Sequence, residues 1–213
     1  MRISAAGQAT DAALHGPQRL RDTVDRTPFR ATPAAERYAR ITRLPVMVVL
    51  DNVRSLYNTG AFFRTADACA IEKLVLCGIT PRPDQGAKQK HAISKTALGA
   101  DESVVWEYAA STSRALETAI AAGYQVAAVE TSPQAVDLYD WVPAWPVCLV
   151  FGHETDGVSS EVARCCETHV RIPMLGAKHS LNVATAAGVV LYELLRKYRG
   201  AERMPATDRN ANE

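Results

Sequence analysis

Three short segments collect the residue types that could handle a polar substrate, and each follows an apolar run. The first, DNVRSLYNTGAFFRTADA over residues 51–68, sets Asn58 and Gly60 at what reads as a helix entrance. There an Asn side chain can cap free amides and the helix terminus can receive an anion. Six residues on, Arg64 falls among Ala61, Phe62, Phe63 and Ala66. An Arg in such company snorkels, pairs with a carboxylate, or is kept for a ligand. The second, VFGHETDGVSSE over 150–161, brackets the charged tip Glu154 and Asp156 with Gly152 and Gly157. Glycine there permits a tight turn and close approach of backbone to a ligand; read blandly, the segment is an acidic surface turn with Ser159 capping the next helix. The third, RIPMLGAKHSLNVATAAGVVLYELLR over 171–196, places Ser180 and Asn182 before a helix rich in small residues. Ser180 and Asn182 serve either as a cap or as polar groups aimed at a substrate, and Ala184, Thr185, Ala186, Ala187 and Gly188 let that helix pack closely within the core or across a dimer.

Phosphate-cradling motifs of the G-x-G-x-x-G or P-loop kind are absent from the sequence. His153 and His179 invite a metal, but no suitably spaced third ligand accompanies them, and no metal is expected.

These loops need a frame. Short β-branched runs alternate with longer amphipathic stretches, the pattern of βαβ units and a mainly parallel sheet. The predicted strands are Pro45–Leu50, Lys73–Cys77, Val104–Tyr108, Gln125–Val129, Val147–Phe151 and His169–Ile172; the predicted helices are Thr59–Ala70, Thr112–Ala122, Ser160–Cys166 and Leu181–Tyr198. Ligands of such sheets bind beyond the carboxyl ends of the strands, which is where the three segments fall. Residues 1–43 read as an Arg-rich extension interrupted by Pro17, Pro28 and Pro33, with Arg2, Arg19, Arg21, Arg26, Arg30, Arg37 and Arg40 outnumbering its acids. It is either a solvated tail or an arm that touches RNA. One domain is expected over 44–199, then a polar tail over 200–213.

Bulk properties exclude little. The 213 residues are 47% hydrophobic and carry a net charge of +1, so a surface for nucleic acid must be a local cluster of Lys and Arg. Five cysteines without a C-x-x-C pair, mostly in apolar runs, fit buried thiols in a reducing compartment. No run reaches the ~18 apolar residues of a spanning helix, and no signal-peptide core opens the chain, so a cytoplasmic protein is expected.

Taken in order, the three segments resemble the motifs of the SpoU (TrmH-type) branch of the SPOUT superfamily. Asn58, Gly60 and Arg64 are similar to its first motif, Gly152, Glu154 and Gly157 to its second, and Ile172, Pro173, Ser180, Leu181, Asn182 and Val183 to its third; the resemblance covers roughly residues 44–198. It implies an α/β fold with a mainly parallel sheet, helices on both faces and a C-terminal trefoil knot, a homodimer, and S-adenosylmethionine as cofactor. The activity implied is methylation of a ribose 2′-hydroxyl in transfer or ribosomal RNA. The resemblance also implies a catalytic set of Asn58, Arg64, Glu154, Ser180 and Asn182, with Thr131, Gly152, Ile172 and Leu181 holding the cofactor. A guanidinium that is effectively always protonated is a poor base, so Arg64 is expected to clamp a phosphate while Glu154 orients groups or accepts the proton. Two departures from the family pattern stand at Ala184, where a hydroxyl residue is common, and at the basic Lys178-His179 turn. Two rivals are an RNA-binding relative without catalysis and an α/β enzyme for another nucleotide.

Overall fold

The computed structural model describes residues 42–203. The proposed N-terminal arm, with Arg2 through Arg40, lies outside the described residues, as does the tail beyond Arg203.

Seven strands form one sheet in the order β3-β2-β1-β6-β4-β7-β5, and every pairing is parallel. They are β1 (Leu44–Asp51), β2 (Ile71–Cys77), β3 (Trp106–Ala109), β4 (Gln125–Val129), β5 (Val136–Asp137), β6 (Val147–Phe151) and β7 (Thr168–Arg171). Six match the predicted strands to within two residues at each end. The two-residue β5 was not predicted, because so short an edge strand carries no alternation to read. Alternate residues of β1 enter opposite cores: Leu44, Val46, Val48 and Leu50 on one face, Met47 and Val49 on the other. Burial on both faces is why the central strands read as unbroken apolar runs.

Helices cover both faces, as expected of this fold class. The first face carries α1 (Leu56–Cys69) through Phe62, Phe63 and Ala66, α2 (Ala87–Ala97) through Ile93 and Ala97, and α6 (Val183–Arg203) through Ala187, Val190, Leu191 and Leu194. The short α3 (Ala100–Ser103) follows α2. The second face carries α4 (Thr112–Ala121) through Leu116 and Ala119 and α5 (Ser160–Arg164) through Val162. Neither α2 nor α3 was predicted: α2 buries only Ile93 and Ala97, too narrow a stripe to register as periodicity. At the other end, α6 begins at Val183, two residues after the predicted start, and continues to Arg203, past the expected domain limit at 199.

All five cysteines are unpaired, with Cys69, Cys77, Cys148 and Cys166 buried. Burial pushes the Cys148 thiol up to about 12, which keeps it protonated and inert. No helix of the described residues is long and apolar enough to cross a membrane.

The sheet sets direction, and one glycine sets the distance between α1 and α2. A Cβ at Gly60 would stand 2.1 Å from Thr96 Oγ1 and 2.3 Å from the Ile93 carbonyl, so Gly60 serves a helix crossing rather than a helix entrance. Gly60→Ala is expected to destabilise the chain by roughly 1–3 kcal/mol through overpacking. Urea unfolding reads this directly; a variant as stable as the parent would mean that the helices can part without cost.

Candidate active site

At the carboxyl ends of β1, β6 and β7 the first motif segment binds the carboxylate of Glu154 in the second and, through Asn58, Asn182 in the third. Glu154 Oε2 accepts the Arg54 amide at 3.1 Å, and its Oε1 accepts the Ser55 amide at 3.0 Å and Asn58 Nδ2 at 2.9 Å. The loop after β6 therefore grips the loop that opens α1. Partial burial raises the carboxyl's pKa, but hydrogen bonds from the Arg54 amide, the Asn58 side chain, its own backbone and the Ser55 amide outweigh this and leave it below its ordinary value. A carboxylate so stabilised is a weak proton acceptor, and its geometry is that of a brace.

Asn58 does not cap its helix, contrary to expectation. Ser55 does, accepting the Asn58 amide at 3.2 Å, because it is the residue directly ahead of the first helical turn. That leaves the Asn58 side chain free to face outward to Glu154 on one side and Asn182 on the other. Asn182 combines two functions that the sequence left as alternatives. Its Oδ1 caps α6 by accepting the Ala184 and Thr185 amides at 3.0 and 3.2 Å, and its Nδ2 donates to Asn58 Oδ1 at 3.1 Å. The cap orients Asn182, Asn182 orients Asn58, and Asn58 then presents Nδ2 to Glu154, so the polarity of the chain is set from one end. Ala184 contributes only its amide to the cap, so the departure at that position leaves the relay intact.

Beside this relay lies a pocket whose wall includes Glu154, Ser180 and all four residues expected to hold a cofactor, Thr131, Gly152, Ile172 and Leu181. Val129, Phe151, Val170, Met174 and Val183 supply its apolar surface. The backbone groups of Gly152, Ile172 and Leu181 form no hydrogen bond with any described residue, which leaves amides and carbonyls available at the wall. Apolar side chains interleaved with polar ones and free backbone groups suit a flat heterocycle with donors and acceptors on its rim. Gly152 is dictated by close approach: a Cβ there would stand 2.1 Å from the Gly157 carbonyl carbon.

Glu130 was not singled out in the sequence. It follows β4, accepts the Val158 amide at 2.9 Å and the Thr131 amide at 2.9 Å, and so pins the 152–158 loop from below. Gly157, at φ +69°, would drive a Cβ to 2.3 Å from Glu130 Oε2. An acidic residue closing an apolar strand ahead of Thr131 was the available signal.

Arg64 departs from expectation. It points outward from α1, exposed, while its neighbours Phe62, Phe63 and Ala66 turn to the core. It forms no hydrogen bond or ion pair with any described residue and does not line the pocket. Position along the helix explains this: six residues carry it ~9 Å from Asn58 and about a third of a turn round the axis. Of the two histidines, His153 pairs with Asp156 at 3.2 Å inside its own turn and His179 lines the pocket. Among the described residues no group of three His, Cys, Asp or Glu is arranged to hold a metal ion.

The Glu154 brace has a pH signature. Its folded pKa is lowered, so its stabilisation is present above the unfolded carboxylate range near ~4.3 and is lost as pH falls through the lower folded value. Glu154→Gln should cost roughly 1–2 kcal/mol at neutral pH, and denaturant unfolding curves of parent and variant should converge as pH falls below the folded value. A gap independent of pH would contradict the brace.

Residues 45–192 match the SpoU rRNA Methylase family. The chain is 37% identical over 162 residues to the 23S rRNA (guanosine-2′-O-)-methyltransferase RlmB of Pseudomonas syringae pv. tomato, covering 76% of this chain and 62% of that protein. It thus spans about three-fifths of the length of the curated relatives it matches. Among solved structures it superposes on the TrmH/SpoU tRNA modifying enzyme of A. aeolicus with a TM-score of 0.68 at 26% identity, over 79% of this chain and 86% of that one. It also superposes on the SpoU methyltransferase AviRb of Streptomyces viridochromogenes, solved in complex with AdoMet, with a TM-score of 0.64 at 26% identity, over 75% and 60% of the two chains. With the second and third motif segments lining one pocket, the first hydrogen-bonded to both, and the family match reaching all three, the chain belongs to the SpoU rRNA methylase family.

Proposed function

We propose that the chain transfers a methyl group from S-adenosylmethionine to a ribose 2′-hydroxyl of ribosomal or transfer RNA. The observation that carries this is the Glu154–Asn58–Asn182 relay standing beside a pocket of mixed polar and apolar lining with free backbone groups. Bound there, S-adenosylmethionine would supply an electrophilic methyl group. Thr131, Gly152, Ile172 and Leu181 hold its adenosine part, with Glu130 keeping the 152–158 loop closed beneath it.

Displacement at a methyl carbon asks chiefly for alignment, and positioning is worth ~7 kcal/mol or more. Ser180, exposed at the pocket wall without a protein partner, holds the 2′-hydroxyl. Asn58 and Asn182 shape the approach, and Glu154 keeps them in place. Arg64, unpaired on the outer face of α1, clamps a phosphate of the substrate strand. The knotted threading of the loops after β6 and β7, a homodimer and a cytoplasmic location complete the reading. A Cβ at Gly188 on α6 would meet nothing within 4 Å, so a small residue there is not required by packing within one chain, which supports close contact with a second copy.

Titration calorimetry with S-adenosylmethionine should show one site per chain, and tritium transfer to ribosomal or transfer RNA should require the 2′-hydroxyl. Ser180→Ala should lower turnover about a hundredfold with cofactor affinity within about threefold of the parent. Undiminished turnover would remove Ser180 from the reaction, and failure to bind the cofactor would end the methyltransferase reading. Arg64→Lys should lose RNA affinity and turnover together, because an ammonium cannot make the two-pronged contact; retained turnover with a sharp basic pH limb would make position 64 a proton acceptor instead.

A further inference from the structure

Beyond the pocket, α1 and α2 place an aromatic ring and a cluster of unpaired basic side chains on one surface. On α1, Tyr57 and Arg64 are seven residues apart and share the solvent face, with Tyr57 57% exposed. On α2, Lys88, His91 and Lys95 recur at intervals of three and four, all exposed and opposite the buried Ile93 and Ala97. None of the five side chains forms a hydrogen bond, ion pair or ring contact with a described residue. The Ala87–Ala97 helix contains no acidic residue, so its charge is concentrated in a chain whose net charge is +1.

The two faces adjoin. Gly60 lets the helices cross at backbone distance, and Thr96 Oγ1 donates to the Tyr57 carbonyl at 3.0 Å, which sets Lys95 beside the first turn of α1. Asn58, next in sequence to Tyr57, belongs to the relay at the pocket rim. The surface therefore leads away from the reacting centre, and its cations extend ~10 Å along α2, enough to meet more than one phosphate of a strand.

Resting on the reading that the substrate is RNA, we propose that the exposed face of α1 and α2 is the track for the RNA strand flanking the modified nucleotide. Tyr57 stacks a base next to the reacting ribose, and Lys88, His91 and Lys95 contact the phosphates that follow. Aromatic stacking beside a cationic groove is the arrangement that holds single strands without reading their sequence. On α2 this charge stands without a single acidic residue on the same helix.

The test uses the full chain and a fluorescein-labelled, mixed-sequence RNA 20-mer, with anisotropy read from 50 to 300 mM salt and S-adenosylmethionine affinity measured alongside. Lys88→Ala with Lys95→Ala should weaken RNA binding on the order of tenfold at low salt and flatten the dependence of log Kd on log salt by about 1.4, or ~0.7 per lost phosphate contact. Tyr57→Ala should weaken binding about tenfold with the slope unchanged, and Tyr57→Phe should restore it. Arg114→Ala with Arg164→Ala removes the same charge from the α4–α5 face and should leave RNA binding within twofold of the parent. Equal losses for the two double variants, or none for Lys88→Ala with Lys95→Ala, would overturn the track. A shift in sedimentation mass with RNA affinity intact would overturn it in favour of a second copy on this face. Cofactor binding retained in any of these cases leaves the methyltransferase reading standing; absence of both cofactor and RNA binding in the parent would end both.

Discussion

A single carboxylate, Glu154, holds the reaction site together. It lies about a hundred residues from the loop it grips, and it saturates two backbone amides and one side-chain amide of the turn between β1 and α1. Those amides sit at a helix start, where the first turn lacks intrahelical partners and an anion is favoured. Ser55 accepts the Asn58 backbone amide of that turn and Glu154 takes the Ser55 amide, so the start of α1 is locked to the loop after β6. The Glu154 carboxylate thus serves as structure before it serves chemistry. It is held ionised and occupied, unlike an acid or base poised near neutrality.

The second constraint is close approach of backbone to backbone. Gly152 lies against Gly157, and Gly60 lies against the α2 backbone, at separations no side chain tolerates. The first contact narrows the loop under the pocket, and the second brings α2 alongside Tyr57. Both support one division of labour. The cavity side, lined by Gly152, Ile172 and Leu181, offers backbone groups to a small ligand, whereas the α1–α2 side offers side chains to a polymer. Edge-to-face packing of Phe62 on Phe151, with centroids 5.1 Å apart, couples the two sides through the core next to Gly152.

Specific residues show how much could be read in advance. The strands of the central sheet were legible because burial on both faces leaves continuous β-branched runs; Gln125–Val129 and Val147–Phe151 were located to the residue. Helix α2 was not legible, since Ala, Lys and Gln make a good helix that need bury little. In the site, the convergence of Glu154, Ser180, Asn182 and Asn58 agreed with the motifs, but the motifs did not distinguish Asn58 as a relay from Asn58 as a cap, nor show Arg64 facing away from the pocket.

Local chain chemistry by itself determined the six longer strands, four of the helices, the glycine-bracketed turn over 152–157 and the family, because periodicity and motif spacing are properties of neighbouring residues. Only the tertiary structure decided that Asn182 caps α6 and orients Asn58 in one stroke, that Glu130 braces the 152–158 loop, and that Lys88, His91 and Lys95 lie on a helix laid against the first turn that carries Tyr57. Those facts depend on which distant segments the parallel sheet lays side by side, and hydrogen bonds spanning about a hundred residues leave no mark on local pattern.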